Sequence, residues 1–283
     1  MENSGLKPYI NRIKVVGLFN SITLEWKVTP GVNILSGING SGKSTVLQAI
    51  TSLLKNGYFI KNPFKPIEKI EIYFDDGLVL SSDTPSQPVT DRTIDIVSTF
   101  DSSFKILEAV QKLTDNKVRT ELDWELYNVN DRYLKYELAL GKQAIDILLE
   151  GKNQDKLSSV MKQKTEFFDI LDDLFKESGK TVIRDRDELM FRYKNVELTP
   201  YQLSSGEKQM IVILTIALTQ NMRPATLIMD EPEISLHFEW QRKVIANIMR
   251  LNPSLQLLVS THSPAVIMDG WIDKVQDISD LVV

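Results

Sequence analysis

An α/β fold is expected for this 283-residue chain on three observations. A strand runs into a glycine loop and then a helix at residues 32–54; an apolar strand in TLIMDEP at 226–232 ends in two carboxylates; another, in LQLLVSTHSP at 255–264, ends in a histidine. Apolar strands with polar chemistry at their carboxyl ends fit a parallel sheet, because ligands of open α/β sheets bind there.

The elements follow in order. YINRIKVVGL and SITLEWKV carry β-branched and aromatic residues in loose alternation and read as strands, and VNILSG is a third. STVLQAITSLL places Val46, Leu47, Ile50, Leu53 and Leu54 at the spacing of one helix face. Residues 67–100 return to strands in IEKIEIYF, DGLVLSS and TIDIVSTF, separated by Gly, Pro and Ser. From 102 to 180 the pattern is helical, in FKILEAVQKL, ELYNVNDRYLKYELALGKQAIDILLE and LSSVMKQKTEFFDILDDLF. TVIRDRDELMFRY then reads as a hairpin. The expected organisation is a single domain over 1–283: an N-terminal β and glycine-loop part to 101, a helical insertion with its hairpin over 102–195, and a last part over 196–283. The insertion is not read as independent, because chemical motifs flank it on both sides.

Composition excludes several classes. With 42% apolar residues the chain can bury a sizeable core, and with no cysteine it has no disulfide framework, thiolate zinc site or cysteine nucleophile. Its net charge of −5 argues against a surface built wholly for nucleic acid, although a local basic patch stays open. The longest strongly apolar run, IVILTIAL at 211–218, is far shorter than the roughly 20 residues of a membrane span. The polar start MENSGLKPY is not a signal peptide, so a cytoplasmic protein is expected.

GINGSGKST has Gly37, Gly42, Lys43 and Ser44 in the order G-x-x-x-x-G-K-[ST], between strand and helix. Such a loop surrounds phosphates with backbone N–H groups from Gly37 through Asn39, Gly40, Ser41 and Gly42 to Thr45. Lys43 neutralises phosphate charge and Ser44 holds Mg²⁺. In TLIMDEP, Asp230 suits the Mg²⁺ shell and Glu231 suits a base that takes a proton from an attacking water. Of the two histidines, His262 ends a strand where it can meet a γ-phosphate, while His237 follows EISL with a weaker claim to the site. In LSSGEKQMIVILTIAL, Ser204 and Glu207 have capping-box spacing at the start of an apolar helix. That accounts for the segment as a well-capped core helix. Its N–H groups and two serines also suit a phosphate.

GINGSGKST, LSSGEKQ, TLIMDEP, EISLH and STHS, in this order, resemble the ATP-binding cassette ATPases, whose fold is a P-loop NTPase head with an antiparallel N-terminal β subdomain and a helical insertion. DEPEISLH looks more like the RecF, OLD and SMC-like branch of DNA repair and phage defence than like transporter subunits. The resemblance implies ATP and Mg²⁺ as cofactors and a head-to-tail homodimer, open to higher assembly. Ser204, Ser205, Gly206 and Glu207 would then serve the other protomer's ATP, with Glu231 as base and His262 as γ-phosphate sensor. It further implies an ATPase switch that controls a separate effector, a nuclease or toxin, in antiviral defence. A RecF-like DNA-binding ATPase and an ATP-bound scaffold with little turnover are the alternatives. The family's glutamine loop has no counterpart near TIDIVSTFD, where Asp101 or a water is expected to substitute. About 80 helical residues between the two halves are too few for a long SMC coiled coil at about 1.5 Å per residue. The chain also ends without an OLD-type nuclease domain, so any cutting is expected from another polypeptide.

Overall fold

The computed structural model describes residues 9–57, 67–84, 93–97, 114, 117–151 and 154–283. The expected helix FKILEAVQKL and Asp101 lie outside the described residues. The chain divides into two compact units: Met1–Thr99 with Arg223–Glu233 and Pro253–Val283, and Phe100–Met222 with Ile234–Asn252.

The first unit holds two sheets. β1 (Ile10–Leu18), β2 (Ile22–Lys27), β4 (Lys69–Phe74) and β5 (Val79–Ser81) form an antiparallel sheet in the order β2-β1-β4-β5. β3 (Val32–Ser36), β6 (Ile94–Val97), β10 (Ala225–Asp230), β11 (Leu255–Ser260) and β12 (Val275–Asp277) form a second, ordered β12-β3-β11-β10-β6, in which all pairs are parallel. The three strands read at 67–100 therefore do not share a sheet: β4 and β5 extend the antiparallel one, whereas β6 pairs with β10. β4 alternates, with Ile70, Ile72 and Phe74 buried, as a strand with one covered face should. β11 is buried at every position, as suits a central parallel strand.

Helix α1 (Lys43–Asn56) contacts β4 and β5 of one sheet and β6, β10 and β11 of the other, and its stripe of Val46, Leu47, Ile50, Leu53 and Leu54 joins both sheets into one core with Ile13, Ile72, Ile228 and Leu258. A buried side chain, Gln256 of β11, adds a polar tie: it accepts from the Ile10 N–H at 3.0 Å and donates to the carbonyls of Ile10 at 2.6 Å and Thr29 at 3.1 Å. Groups buried at that depth destabilise the fold unless they are hydrogen-bonded, and here they are.

The second unit contains α2 (Glu121–Leu149), α3 (Gln154–Phe175), the antiparallel meander β7 (Lys180–Ile183), β8 (Met190–Tyr193) and β9 (Val196–Leu198), then α4 (Ser205–Thr219) and α5 (Phe238–Leu251). Helix α2 starts with a capping box in which Thr120 accepts from the Asp123 N–H and Asp123 accepts in return. Helix α4 is buried along nearly its whole length from Met210 to Leu218, which explains why its sequence is apolar on all sides. Phe175 packs against Phe191 and Trp240, with ring centroids 5.4 and 5.6 Å apart. Toward its end α2 exposes Leu138, Ile145, Leu148 and Leu149. Among the described residues, no helix is long and apolar enough to cross a membrane.

Candidate functional site

Register brings the first unit's motifs together. Ser260 pairs with Asp230 on one side and with Leu35 on the other, so β3, β11 and β10 end side by side. The glycine loop leaves β3 at Ser36 and enters α1 at Lys43. Gly42 caps that helix at φ +101°, a backbone conformation that L side chains rarely adopt, and a Cβ there would lie 3.0 Å from Leu18 and 3.1 Å from Phe19. Among the described residues no side chain caps the entrance, an arrangement that suits an anion at the first N–H groups. The loop borders an open cleft of about 460 Å³ lined by Asn39, Gly40, Gly42, Lys43, Ser44, Thr45, Phe19 and Glu231.

Lys43 is buried and turned back, donating from Nζ to the carbonyls of Gly37 at 2.8 Å and Ile38 at 3.1 Å. Within the loop, the Ser41 hydroxyl is buried with no hydrogen-bond partner among the described residues. Ser44 and Asp230, 186 residues apart, are in contact: the Ser44 hydroxyl donates to Asp230 Oδ1 at 2.9 Å. Ser260 donates to the same oxygen in a short hydrogen bond. A carboxylate and hydroxyls converging at the cleft are hard oxygen donors, which fit Mg²⁺. Among the described residues no group of three or more His, Cys, Asp or Glu could hold a metal ion.

Glu231 adopts φ +46°, rare for a residue with a side chain, and its N–H donates to the Ser260 carbonyl at 3.0 Å. Non-glycine strain of this kind clusters at functional sites. Its carboxylate lies 3.2 Å from His262 Nδ1. Glu233 approaches the same nitrogen, 3.6 Å from Nδ1, and it accepts from the Thr261 hydroxyl at 2.5 Å and the His262 N–H at 3.3 Å. Burial pushes the Glu233 carboxyl above its ordinary pKa, against the opposing pull of these hydrogen bonds and of His262.

In the second unit Ser204 caps α4: its hydroxyl accepts from the Glu207 N–H, and Glu207 Oε2 accepts from the Ser204 N–H at 2.9 Å. Ser204 and Ser205 are exposed, but Gly206 and Glu207 are buried. The Glu207 carboxylate faces inward, where it accepts from Lys180 Nζ at 2.7 Å and the Ser178 hydroxyl at 2.9 Å. Burial alone would raise its pKa, yet the bonds from Lys180, Ser204 and Ser178 hold it below the usual range. Lys208 pairs with Asp123 at 2.7 Å. The arrangement leaves the two serines and the helix entrance, not Glu207, as the outward-facing part of this segment. His237 is exposed and precedes α5, whose first turn its carbonyl accepts from, while its side chain makes no cap.

Sequence reasoning had not singled out Phe19, Ser260 or Glu233. Ser260 carried the same signal as Asp230, a polar residue closing an apolar strand. Glu233 stood in view beside the acidic pair in DEPE, and Phe19 carried no signal apart from its turn.

The fold and the convergence of the glycine loop with two strand ends define a P-loop NTPase of the ATP-binding cassette head type. The chain belongs to the family described as "AAA domain, putative AbiEii toxin, Type IV TA system", which matches residues 32–269. It is 24% identical to the Septu protein PtuA of Bacillus thuringiensis, over 94% of this chain and 74% of that one. It is 26% identical to the Retron Vc95 probable ATPase of Vibrio cholerae, over 50% of this chain and 34% of the relative, so it spans only about a third of that protein. Among solved structures, the Smc head domain of Pyrococcus furiosus, bound to the C-terminal domain of ScpA, superposes with a TM-score of 0.52 at 14% identity, covering 93% of this chain and 92% of that one. That likeness is one of fold.

Proposed function

We propose that this protein is an ATP-hydrolysing switch that pairs head to tail with a second copy and controls a separate effector, a nuclease or toxin, in antiviral defence. The observation that carries the reading is the contact of Ser44 with Asp230 beside the cleft that Glu231 lines. Gly37 to Thr45 bind the phosphates through backbone N–H groups, and Lys43 exchanges its loop carbonyls for phosphate oxygens. Ser44 and Asp230 would hold Mg²⁺, which would supply charge neutralisation at the β and γ phosphates. Glu231 orients a water and accepts its proton as the oxygen bonds to the γ-phosphorus and the bond to ADP breaks. His262 binds the γ-phosphate.

The exposed Ser204 and Ser205 at the entrance of α4 complete the site of the other copy, with Gly206 behind them. Support for an effector comes from the apolar residues that α2 exposes, a feature of surfaces that bind partners, and from the names of the Septu and retron relatives. The test is Glu231→Gln, which leaves binding intact and blocks the proton transfer. Gel filtration with ATP and Mg²⁺ should then show a dimer that is absent without nucleotide. A monomer under both conditions overturns the head-to-tail arrangement.

A further inference from the structure

The structure brings His262 Nδ1 to 3.2 Å from the Glu231 carboxylate, close enough for the imidazole to compete with a water for that carboxylate. The same nitrogen is 3.6 Å from Glu233, a residue outside the roles assigned above. The two carboxylates differ in how they are held. Glu233 is 5% exposed and anchored by the Thr261 hydroxyl at 2.5 Å and by the backbone N–H of His262 itself at 3.3 Å. Glu231 borders the open cleft on a backbone at φ +46°. A neutral imidazole has one N–H to give, and when Nδ1 carries it the two carboxylates at 3.2 and 3.6 Å compete for it.

We infer that Glu233 is a positioning residue for hydrolysis: when nucleotide binds, it takes over the His262 Nδ1–H from Glu231, so that Glu231 is released to the attacking water while the imidazole stays in place. The buried, anchored carboxylate is the acceptor at the end of the exchange and the one at the cleft is the base. Thr261 contributes by holding Glu233 still. This inference rests on the reading of Glu231 as base and His262 as phosphate contact.

The exchange is visible without turnover, because the chain has only two histidines and a ¹⁵N-histidine NMR spectrum therefore has two ring systems to assign. His237→Gln identifies the second. In the nucleotide-free protein the His262 Nδ1 signal should move on Glu231→Gln and barely on Glu233→Gln. With Mg²⁺ and an ATP analogue whose β–γ bridge cannot be hydrolysed, the sensitivities should reverse. In kinetics, Glu233→Gln should lower kcat about tenfold, as loss of a hydrogen bond to a charged group does, and leave the affinity for the analogue within about twofold. In a His262→Ala background Glu233→Gln should have no further effect, since partners acting through one another are non-additive. If Glu233→Gln does not accumulate as folded protein, Thr261→Val loosens the same carboxylate and should reproduce the fall in kcat. A His262 signal that still follows Glu231 with nucleotide bound, or losses that add, overturns the inference. Full turnover in Glu231→Gln and His262→Ala would instead overturn the functional reading beneath it.

Discussion

Gly206 lies against the backbone of Ser235: a Cβ at position 206 would sit 2.5 Å from the Ser235 carbonyl oxygen. The glycine of the LSSGEKQ segment is therefore required within one protomer, before any second copy arrives. Backbone cannot retreat as a flexible side chain can, so Gly206→Ala should cost about 1–3 kcal/mol, the range for overpacking. Denaturant unfolding should show a lower midpoint at an unchanged slope, and an unchanged midpoint would contradict the close approach.

Ser205 points a small, exposed side chain outward from the start of α4. Ser205→Arg places a long cation there without disturbing the buried Glu207. ATPase activity, followed as phosphate release, should be abolished while a fluorescent nucleotide still binds the protomer. Lost nucleotide binding would mean that the segment serves its own protomer.

Asp230 accepts from both Ser44 and Ser260, so Asp230→Asn keeps the shape of this cluster and removes its charge. Metal charge stabilisation is several kcal/mol, so kcat should drop at least about a hundredfold. Nucleotide affinity should lose its dependence on Mg²⁺ in parallel. The check is a titration with fluorescent nucleotide in Mg²⁺ and in EDTA, where retained dependence would remove Asp230 from the metal shell.

Glu207 and Asp123 should make the fold acid-sensitive. Burial pushes both carboxyls up, but the bonds from Lys180 and Lys208 help to hold each below its ordinary range. The stability they supply is present above the ordinary carboxylate pKa and is lost as pH falls through their depressed values. Glu233 has the opposite sign: raised by burial, it makes stability decline as pH rises from the ordinary value through its own. Urea midpoints measured downward from pH 7 should fall steeply in the acid range. Lys180→Met should move that fall to higher pH, because Glu207 loses a partner.

Much of the chemistry was legible locally. GINGSGKST, TLIMDEP and STHS each sit where a strand pattern breaks into polar residues, and the Ser204–Glu207 capping box was readable from spacing alone. The helical texture of α2 and α3 followed from three- and four-residue spacing, because a single face must be buried. What spacing could not show was which way a polar side chain turns. Glu207 belonged both to the capping box and to the segment expected at the other protomer's ATP, and the packing of Lys180 and Ser178 around it turns its carboxylate inward.

The sequence by itself determined most of the strands and helices, the glycine loop and the class of fold, since each rests on a short pattern with its own physical cause. The tertiary structure decided what those patterns meet. It assigned β6 to β10 and not to β4, set the register that brings Ser44 to Asp230, and brought Glu233 to the same His262 nitrogen as Glu231. Strand pairing and side-chain burial depend on partners far away in the chain, and a local pattern of apolar residues specifies which face is covered without specifying what covers it.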